Sequence, residues 1–289
     1  MDNPKGYTQP QLLITPNELA QRLGLTSSSG RHRTLTAQPP VVIDLRPVEA
    51  FATGHIPGAA HLDLFGLSLI DTDLAPLNAF LWMIAHLLTS RGASGDSTVV
   101  TYDERSGMRA ARAFWFLEFF GHPDARLLDG GFGVWERAGY QITTKVTPPK
   151  KAEWKVGRIE ERLATWRDVK NRLGNPSAAV LDTRSNGEYD GTIVRAKRGG
   201  AIPGAVHIEW TRNLDEDGAF KPAAELREMY ESAGITPDKE VLSYCQGGYR
   251  AAHSYLALRL LGYPKVRNYI GSWKEWGDRE DLPIKEPKP

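Results

Sequence analysis

The sequence is poor in cysteine: Cys245 is the only one in 289 residues. A single cysteine excludes an intramolecular disulfide and any cysteine-rich metal site, and it fits a reducing compartment. No segment approaches the ~20 apolar residues of a membrane-spanning helix, and residues 1–11 contain no apolar run of the signal-peptide type. The formal net charge is +1, so neither a nucleic-acid nor a membrane partner is predicted. We therefore expect a cytoplasmic protein.

Length and composition predict an ordinary globular chain. Hydrophobic residues make up 41% of the sequence and charged residues 25%, which is typical of soluble proteins. A chain of 289 residues favours two domains, each large enough to bury its own core.

The stretch that carries chemistry is residues 241–253, predicted as a strand, a loop with two glycines and a helix. Cys245 lies where the strand meets the loop. The N-terminus of a helix presents unpaired N–H groups, and its dipole favours negative charge. These groups and the nearby Arg250 would lower the pKa of the thiol and make Cys245 a thiolate nucleophile. The alternative is an ordinary buried cysteine, but Gly247 and Gly248 allow the backbone to curl around a ligand.

Strands and helices alternate along the first half. Thr15-Pro16-Asn17-Glu18 has the pattern of a capping box that starts a helix. The predicted elements are helices at 15–23, 80–88 and 110–120, buried strands at 41–45 and 98–102, and an exposed loop at 26–38. This alternation favours an α/β fold with a parallel sheet.

The second half repeats the first. Asp182-Thr183-Arg184 corresponds to Asp44-Leu45-Arg46, and residues 200–207 correspond to residues 54–61. Beyond these motifs one constant offset relates Gly121 to Gly262, Pro123 to Pro264 and Trp135 to Trp276. We therefore predict two copies of one scaffold. The predicted divisions are a first domain at 1–143, a linker at 144–158 and a second domain at 159–289, whose opening helix at 166–173 is capped by Thr165.

The two copies differ at the reactive position. Asp103 stands in the first domain where Cys245 stands in the second, and the first loop is one residue longer. Because an aspartate cannot form a persulfide or a thioester, we expect the first domain to be catalytically inactive. The alternative is that Asp103 is itself a nucleophile or a base.

These motifs, in the same order in both halves, resemble those of the rhodanese family of sulfurtransferases. They are Asp44-Leu45-Arg46 with Gly-His-Ile-Pro-Gly-Ala, Asp182-Thr183-Arg184 with Gly-Ala-Ile-Pro-Gly-Ala, and the Cys245 loop. The resemblance covers nearly the whole chain. It implies two tandem rhodanese domains, each a parallel sheet flanked by helices, with sulfur held as a persulfide on Cys245. The implied chemistry needs no metal and no organic cofactor.

The Cys-Gln-x-x-x-Arg form of the loop resembles that of bacterial thiosulfate sulfurtransferases. This implies thiosulfate as the sulfur donor and cyanide, a thiol or a protein as the acceptor. The alternative is 3-mercaptopyruvate, but sulfurtransferases of that type carry a different loop and a substrate-binding arginine where this chain has Glu188. A carboxylate cannot bind the carboxylate of mercaptopyruvate, and it removes a positive charge that would favour thiosulfate. We expect Glu188 to pair with a nearby Arg or Lys instead.

The predicted substrate-binding residues follow from this mechanism. Backbone N–H groups would stabilise the terminal sulfur of the persulfide; they belong to Gln246, Gly247, Gly248, Tyr249 and Arg250. The Arg250 side chain either holds the donor's anionic end, supports the loop or forms a simple salt bridge. Tyr249 either borders the mouth of the site or packs beside the helix.

Three other residues are candidates for a role at the site. Arg184 either orders the loop from the end of its strand or forms a buried pair with Asp182. Trp210 either walls the site or lies in the core, and we expect the core. His253 falls one turn into the helix, and a preformed thiolate does not need it as a base.

Two further function classes remain open. Cysteine-dependent phosphatases use a similar loop but space the nucleophile and arginine as Cys-x5-Arg, whereas Cys245 and Arg250 are separated by four residues. The shorter loop should suit a sulfur atom better than a tetrahedral oxyanion. The other class is a non-catalytic carrier that accepts a persulfide from another protein.

Overall fold

The structure is a computed structural model that describes residues 3–25 and 38–285. Its two five-stranded parallel sheets confirm the predicted α/β fold. The strands of the first sheet are Leu13–Ile14 (β1), Val41–Asp44 (β2), Ala60–His61 (β3), Val99–Tyr102 (β4) and Ala125–Leu128 (β5). Those of the second are Leu163–Ala164 (β6), Ala178–Asp182 (β7), Val206–His207 (β8), Glu240–Tyr244 (β9) and Val266–Tyr269 (β10). The loop predicted at 26–38 lies, apart from Gln38, outside the described residues.

Helices flank both sheets. In the first domain they are Pro16–Arg22 (α1), Val48–Thr53 (α2), Leu74–Thr89 (α3), Met108–Phe119 (α4) and Gly131–Arg137 (α5). In the second they are Trp166–Arg172 (α6), Asn186–Asp190 (α7), Ala223–Ser232 (α8), Tyr249–Leu260 (α9) and Ser272–Trp276 (α10). Short 3-10 helices lie at Pro10–Leu12, Glu160–Arg162 and Trp210–Asn213. Within the described ranges, no helix combines the length and apolarity needed to cross a membrane.

The two sheets have the same topology. The first has the strand order β1-β5-β4-β2-β3 and the second the order β6-β10-β9-β7-β8. The central strands are therefore β4 and β9, and both are almost completely buried, as expected for parallel strands covered by helices on both faces. Asp103 follows β4 directly and Cys245 follows β9 directly. The repeat in the sequence is thus a repeat of the fold, and both loops leave the carboxyl end of a central strand.

The N-termini of α1 and α6 are capped by the threonines that precede them. In α6 the predicted cap is complete, because Asp168 accepts from the Thr165 N–H at 2.8 Å and the Thr165 hydroxyl accepts from the Asp168 N–H at 3.3 Å. In α1 the Thr15 hydroxyl accepts from the Glu18 N–H at 3.2 Å. The Glu18 carboxylate, however, accepts from Arg22 at 2.8 Å and from Arg126 at 3.0 Å. The predicted capping box of α1 is therefore only half formed.

The start of α3 was predicted incorrectly. The helix begins at Leu74 instead of Phe80, with Asp73 at the N-cap position. Pro76 lies in the first turn, where a helix tolerates proline because the missing N–H has no intrahelical partner there. The apolar periodicity from residue 80 onward identified the buried part of the helix and missed its exposed first turns.

The domains share one continuous apolar core. Side chains of α4 such as Phe116 and side chains of α9 such as Leu256 belong to the same buried cluster. The first residues of the chain also cross over, since the Thr8 N–H donates to the Leu260 carbonyl at 2.9 Å. Residues 144–158 form no helix or strand. The domain divisions predicted from the sequence stay a prediction.

Candidate active site

The loop between β9 and α9 depends on its two glycines for different reasons. Gly248 has a φ of 83°, and a Cβ there would lie 3.0 Å from the Ile270 carbonyl oxygen. A Cβ on Gly247 would lie 2.9 Å from Oγ of Ser68, a residue of the first domain. The backbone conformation therefore requires glycine at 248. At 247 glycine lets the first domain approach closely, and a Cβ there would displace the Ser68 hydroxyl.

The back of the loop is held by α10. The Trp273 N–H donates to the Cys245 carbonyl at 2.9 Å, and the Lys274 N–H donates to the Gln246 carbonyl at 3.0 Å. The hydroxyl of Ser272 accepts from the Cys245 N–H at 3.1 Å. Ser272 has a left-handed φ of 54°, whereas its counterpart in the first domain is Gly131 with a φ of 60°. A serine kept in a conformation that favours glycine indicates that its hydroxyl is needed at this position.

The thiol of Cys245 lies in a cup of backbone N–H groups that we call the sulfur cup, formed by Gly247, Gly248, Arg250 and Ala251. Sγ accepts from the Gly248 N–H at 3.2 Å, and the residue is buried, with 1% of its surface exposed. Burial alone would raise the pKa of the thiol. The Arg250 guanidinium and the N–H groups of Ala251, Gly247 and Arg250 outweigh it, so the pKa of Cys245 lies below its usual value.

Arg250 is bound to Glu188. Its two terminal nitrogens donate to the two carboxylate oxygens of Glu188 at 2.6 and 2.9 Å, a bidentate pair. Burial would raise the pKa of Glu188, but the bonds from Arg250 and Ser185 lower it to about 2. The predicted pairing of Glu188 with a basic residue is therefore confirmed, and the partner is Arg250 of the Cys245 loop.

A cavity of about 530 Å³ lies between the domains above the loop. The first domain contributes Phe65, Gly66, Ser68 and Met108; the second contributes Arg195, Trp210, Cys245, Gln246, Gly247, Tyr249, Arg250 and Lys274. Three of these lining residues are basic and none is acidic. The cavity therefore offers a positively charged surface next to the thiol.

Most of the predicted substrate-binding residues line this cavity. Gln246, Gly247, Tyr249 and Arg250 are among the lining residues, and the Gly248 N–H reaches Sγ from below. Tyr249 both borders the cavity and packs, because its hydroxyl donates to the Leu64 carbonyl of the first domain at 2.6 Å.

Arg184 is not among the lining residues. Its guanidinium donates to Asp182 at 2.6 Å and to the Gly200 carbonyl at 2.8 Å, and it is buried to 1% exposure. Of the two roles proposed for it, the structure therefore contains the buried pair with Asp182. Its contribution to substrate binding stays a prediction.

Trp210 and His253 lie side by side at the domain interface. Trp210 is only partly buried and walls the cavity, so the expected core position is wrong. Nε2 of His253 lies 2.7 Å from the Ser106 carbonyl, which can only accept, so Nε2 carries the hydrogen. Burial lowers the pKa of His253 to about 3. His253 is therefore neutral, and it links the two domains.

Two basic residues of the cavity were not among the predicted site residues: Arg195 and Lys274. Arg195 belongs to a short basic run at 195–198, and Lys274 follows Ser272 and Trp273 in α10. Neither position stands out as a binding position, because each reaches the loop only through the tertiary fold. Gln246 shows how the loop is joined to one of them: its side-chain Nε2 donates to the Arg195 carbonyl at 2.8 Å.

The first-domain counterpart of the sulfur cup is filled by its own side chain. The Asp103 carboxylate accepts from the backbone N–H groups of Gly107 at 2.8 Å and of Arg109 and Ala110 at 3.0 Å. The anion that this loop binds is thus part of the protein. Across residues 3–25 and 38–285, no group of three or more His, Cys, Asp or Glu side chains is placed to hold a metal ion.

Comparisons with known proteins agree with this architecture. A family model for the rhodanese-like domain matches residues 31–138 and again residues 165–279. The chain is 34% identical to the thiosulfate sulfurtransferase of Pseudomonas aeruginosa, covering 96% of this chain and 98% of that protein. It is 35% identical to the sulfur carrier protein TtuD of Thermus thermophilus, with the same coverage.

A solved structure supports the fold independently. The wild-type structure of EanB superposes with a TM-score of 0.83 at 23% identity, over 100% of this chain and 72% of that one. Two matches to one domain model, two sheets of identical topology and relatives that align over nearly the whole chain lead to the same conclusion. The chain belongs to the rhodanese family and contains two rhodanese-like domains.

Proposed function

We propose that this protein transfers sulfane sulfur from thiosulfate to a thiophilic acceptor through a persulfide on Cys245. The observation that carries the proposal is the sulfur cup: a buried thiol with a lowered pKa, ringed by backbone N–H groups, at the floor of a basic cavity. Such a site stabilises a monoanionic sulfur atom. The P. aeruginosa relative, aligned over 96% of this chain, is named a thiosulfate sulfurtransferase.

In the first half-reaction the Cys245 thiolate attacks the outer sulfur of thiosulfate. A new S–S bond forms at Cys245, the S–S bond of thiosulfate breaks, and sulfite leaves with its electron pair. No proton moves, so no general base is required and a neutral His253 is sufficient. The negative charge passes from Sγ to the terminal sulfur, where the N–H groups of the cup and the Arg250 guanidinium stabilise it.

In the second half-reaction an acceptor attacks the terminal sulfur. Cyanide, for example, takes this sulfur to form thiocyanate and returns the thiolate of Cys245. The first product leaves before the acceptor reacts, so the kinetics should be ping-pong. No step in this sequence uses a metal or an organic cofactor.

The donor's anionic end would be held by Arg195 and Lys274. Both line the cavity, and both are exposed at its rim. Arg250 is less suited, because Glu188 occupies both of its terminal nitrogens at 2.6 and 2.9 Å. Arg195 also contacts Glu188, but through one nitrogen and at 3.4 Å. We favour thiosulfate over 3-mercaptopyruvate because the P. aeruginosa relative, aligned over 96% of this chain, is named a thiosulfate sulfurtransferase.

The test is a steady-state assay with cyanide as acceptor and either thiosulfate or 3-mercaptopyruvate as donor, read out as thiocyanate. We expect parallel double-reciprocal lines for thiosulfate and little turnover of 3-mercaptopyruvate, and the variant Cys245→Ser should be inactive with both. A preference for 3-mercaptopyruvate would overturn the choice of donor. Hydrolysis of an aryl phosphate that C245S abolishes would favour the phosphatase alternative.

A second candidate is a sulfur carrier that receives its persulfide from another protein. It is favoured by the T. thermophilus relative, which is named a sulfur carrier protein and matches 96% of this chain. Single-turnover persulfidation by a persulfide-bearing protein, without multiple turnovers on thiosulfate, would distinguish this role. The inactivity of the first domain and the cytoplasmic location stay proposals, and fractionation of cells tests the second.

A further inference from the structure

Arg112 is a buried arginine with no hydrogen-bonding partner. It lies in α4 of the first domain, and 1% of its surface is exposed. Within the part of the chain that the structure describes, neither its Nε nor its two terminal nitrogens has an acceptor. A buried guanidinium without an acceptor is costly, since the charge loses its hydration. The rings of Phe116 and Phe80, whose centroids lie 5.5 and 5.9 Å from its guanidinium carbon, offer cation–π contacts but no hydrogen bond. Such a group calls for a specific explanation.

The surroundings of Arg112 lead to the active site. Its guanidinium carbon lies 3.7 Å from the ring centroid of Tyr249, which is cation–π distance. Tyr249 opens α9 and lines the cavity. Met108, four residues before Arg112 and therefore on the same face of α4, lines the same cavity. Arg112 thus lies directly behind the cavity wall, separated from it by one aromatic ring.

The positive charge around Cys245 is partly shared with Glu188. The Arg250 guanidinium lowers the pKa of Cys245, but it also forms a bidentate pair with Glu188, so the pair as a whole carries no net charge. The remaining cations facing the sulfur are Arg195 and Lys274, which are exposed at the rim and are therefore screened by water and salt.

The other charged groups on the first-domain side also cancel. Arg109 pairs with Asp63 at 2.9 Å, and the remaining first-domain lining residues, Phe65, Gly66, Ser68 and Met108, carry no charge. Arg112, in contrast, is buried, and within the described residues its side chain has no hydrogen-bond acceptor. Its charge interacts electrostatically with Cys245.

We propose that Arg112 is a positioning residue that supplies, through the ring of Tyr249, the buried counter-charge of the anionic sulfur on Cys245. The first domain would then contribute electrostatically to the catalytic centre in addition to walling it. Burial lowers the pKa of Arg112, while Tyr249 and Cys245 raise it, which agrees with a coupling between the guanidinium and the thiolate. The part of this proposal that concerns the persulfide rests on the proposed function; the part that concerns the thiolate does not.

The test measures the thiolate directly. The rate of alkylation of Cys245 by iodoacetamide is followed against pH in the wild type and in Arg112→Met, which replaces the cation by an apolar side chain of similar length. We expect the apparent pKa of Cys245 to rise by about one unit in R112M, which is about a tenfold loss of thiolate below the pKa. Arg112→Lys should keep most of the effect, and Arg22→Met, which removes an exposed charge of the same domain, should change nothing.

Stability provides a readout that separates this role from a structural one. Replacing an unpaired buried charge by an apolar group is neutral or stabilising in general, so the unfolding midpoint of R112M should equal or exceed that of the wild type. An unchanged alkylation profile in R112M would overturn the proposal. So would equal pKa shifts in R112M and R112K.

Two further outcomes are decisive. If R112M does not fold, Arg112→Gln carries the same measurement, and failure of both neutral variants beside a folded R112K would overturn the proposal in favour of a purely structural charge. Failure of the wild type to accept sulfur from thiosulfate would count against the proposed function only, because the alkylation profile does not depend on the donor.

Discussion

The pair between Glu188 and Arg250 yields a prediction that can be worked out in magnitude. Glu188 is 3% exposed and accepts from both terminal nitrogens of Arg250. The fold lowers the pKa of Glu188 from an ordinary value of 4.5 to about 2. A shift of this size corresponds to about 3 kcal/mol of stability near neutral pH. We therefore expect Glu188→Gln, which preserves the shape, to lower the free energy of unfolding in urea by about 3 kcal/mol.

The pH dependence of this effect follows from the sign of the shift. A carboxylate whose pKa is lower in the folded protein contributes its full stability above the pKa of the unfolded chain and loses it as the pH falls through the folded pKa. The stability difference between wild type and E188Q should accordingly be constant above about pH 5, shrink below 4.5 and vanish near 2. Urea denaturation at a series of pH values measures this difference.

The same substitution should act on the thiol in the opposite direction. With Glu188 neutral, the charge of Arg250 is no longer cancelled, and Cys245 is the anionic group that remains beside it. We expect the apparent pKa of Cys245 to fall in E188Q, so that alkylation at low pH becomes faster although the protein is less stable.

A matched control is available on the surface of the second domain. Glu231 pairs with Arg227 on α8 at 3.5 Å, and both side chains are exposed. Removing an exposed pair of this kind costs at most about 0.5 kcal/mol, so Glu231→Gln should be nearly neutral and should leave the alkylation profile unchanged. If E188Q loses no more stability than E231Q, the electrostatic description of the site is wrong.

Two backbone predictions follow from the same loop. Ser272→Gly relieves the strain of the left-handed φ and Ser272→Ala does not, whereas both variants lose the acceptor for the Cys245 N–H. The free energy of unfolding of S272G should therefore exceed that of S272A by about 1 kcal/mol. Both variants should turn over more slowly than the wild type. Equal stabilities would contradict the strain at this residue. Gly248→Ala should cost more stability than Gly234→Ala, although both glycines have a left-handed φ. A Cβ at 248 would meet a backbone oxygen at 3.0 Å, whereas a Cβ at 234 would have no atom within 4 Å. Chemical denaturation compares the two variants, and equal losses would refute the close contact.

The parts of the fold that the sequence predicts are those with local causes. The buried strand before Asp103 is recognisable from its β-branched residues and the strand before Cys245 from a short apolar run. The start of α6 is recognisable from Thr165 and Asp168. The cap of α1 was predicted to close on itself, but Glu18 binds Arg126, which is 108 positions away in the chain. A pattern of four consecutive residues contains no information about a distant side chain that binds one of them.

The site follows the same division. The nucleophile and the sulfur cup come from the seven consecutive residues 245–251, so their chemistry is visible in the sequence. The partner of Arg250 is Glu188, which is 62 positions away, and Arg112 reaches Tyr249 from the other domain. These partners depend on how α7, α4 and α9 pack together. Sequence spacing carries no information about that packing, which is why the role of Arg112 emerges only from the structure.

Whether Cys245 carries a persulfide is tested by the mass of the protein after incubation with thiosulfate and removal of the free donor. We expect the wild type to gain the mass of one sulfur atom and peptide mapping to assign this atom to Cys245. Cyanide should then remove it with release of one thiocyanate. C245S should gain nothing. Turnover of thiosulfate without this adduct, or an equal adduct on C245S, would contradict a persulfide on Cys245.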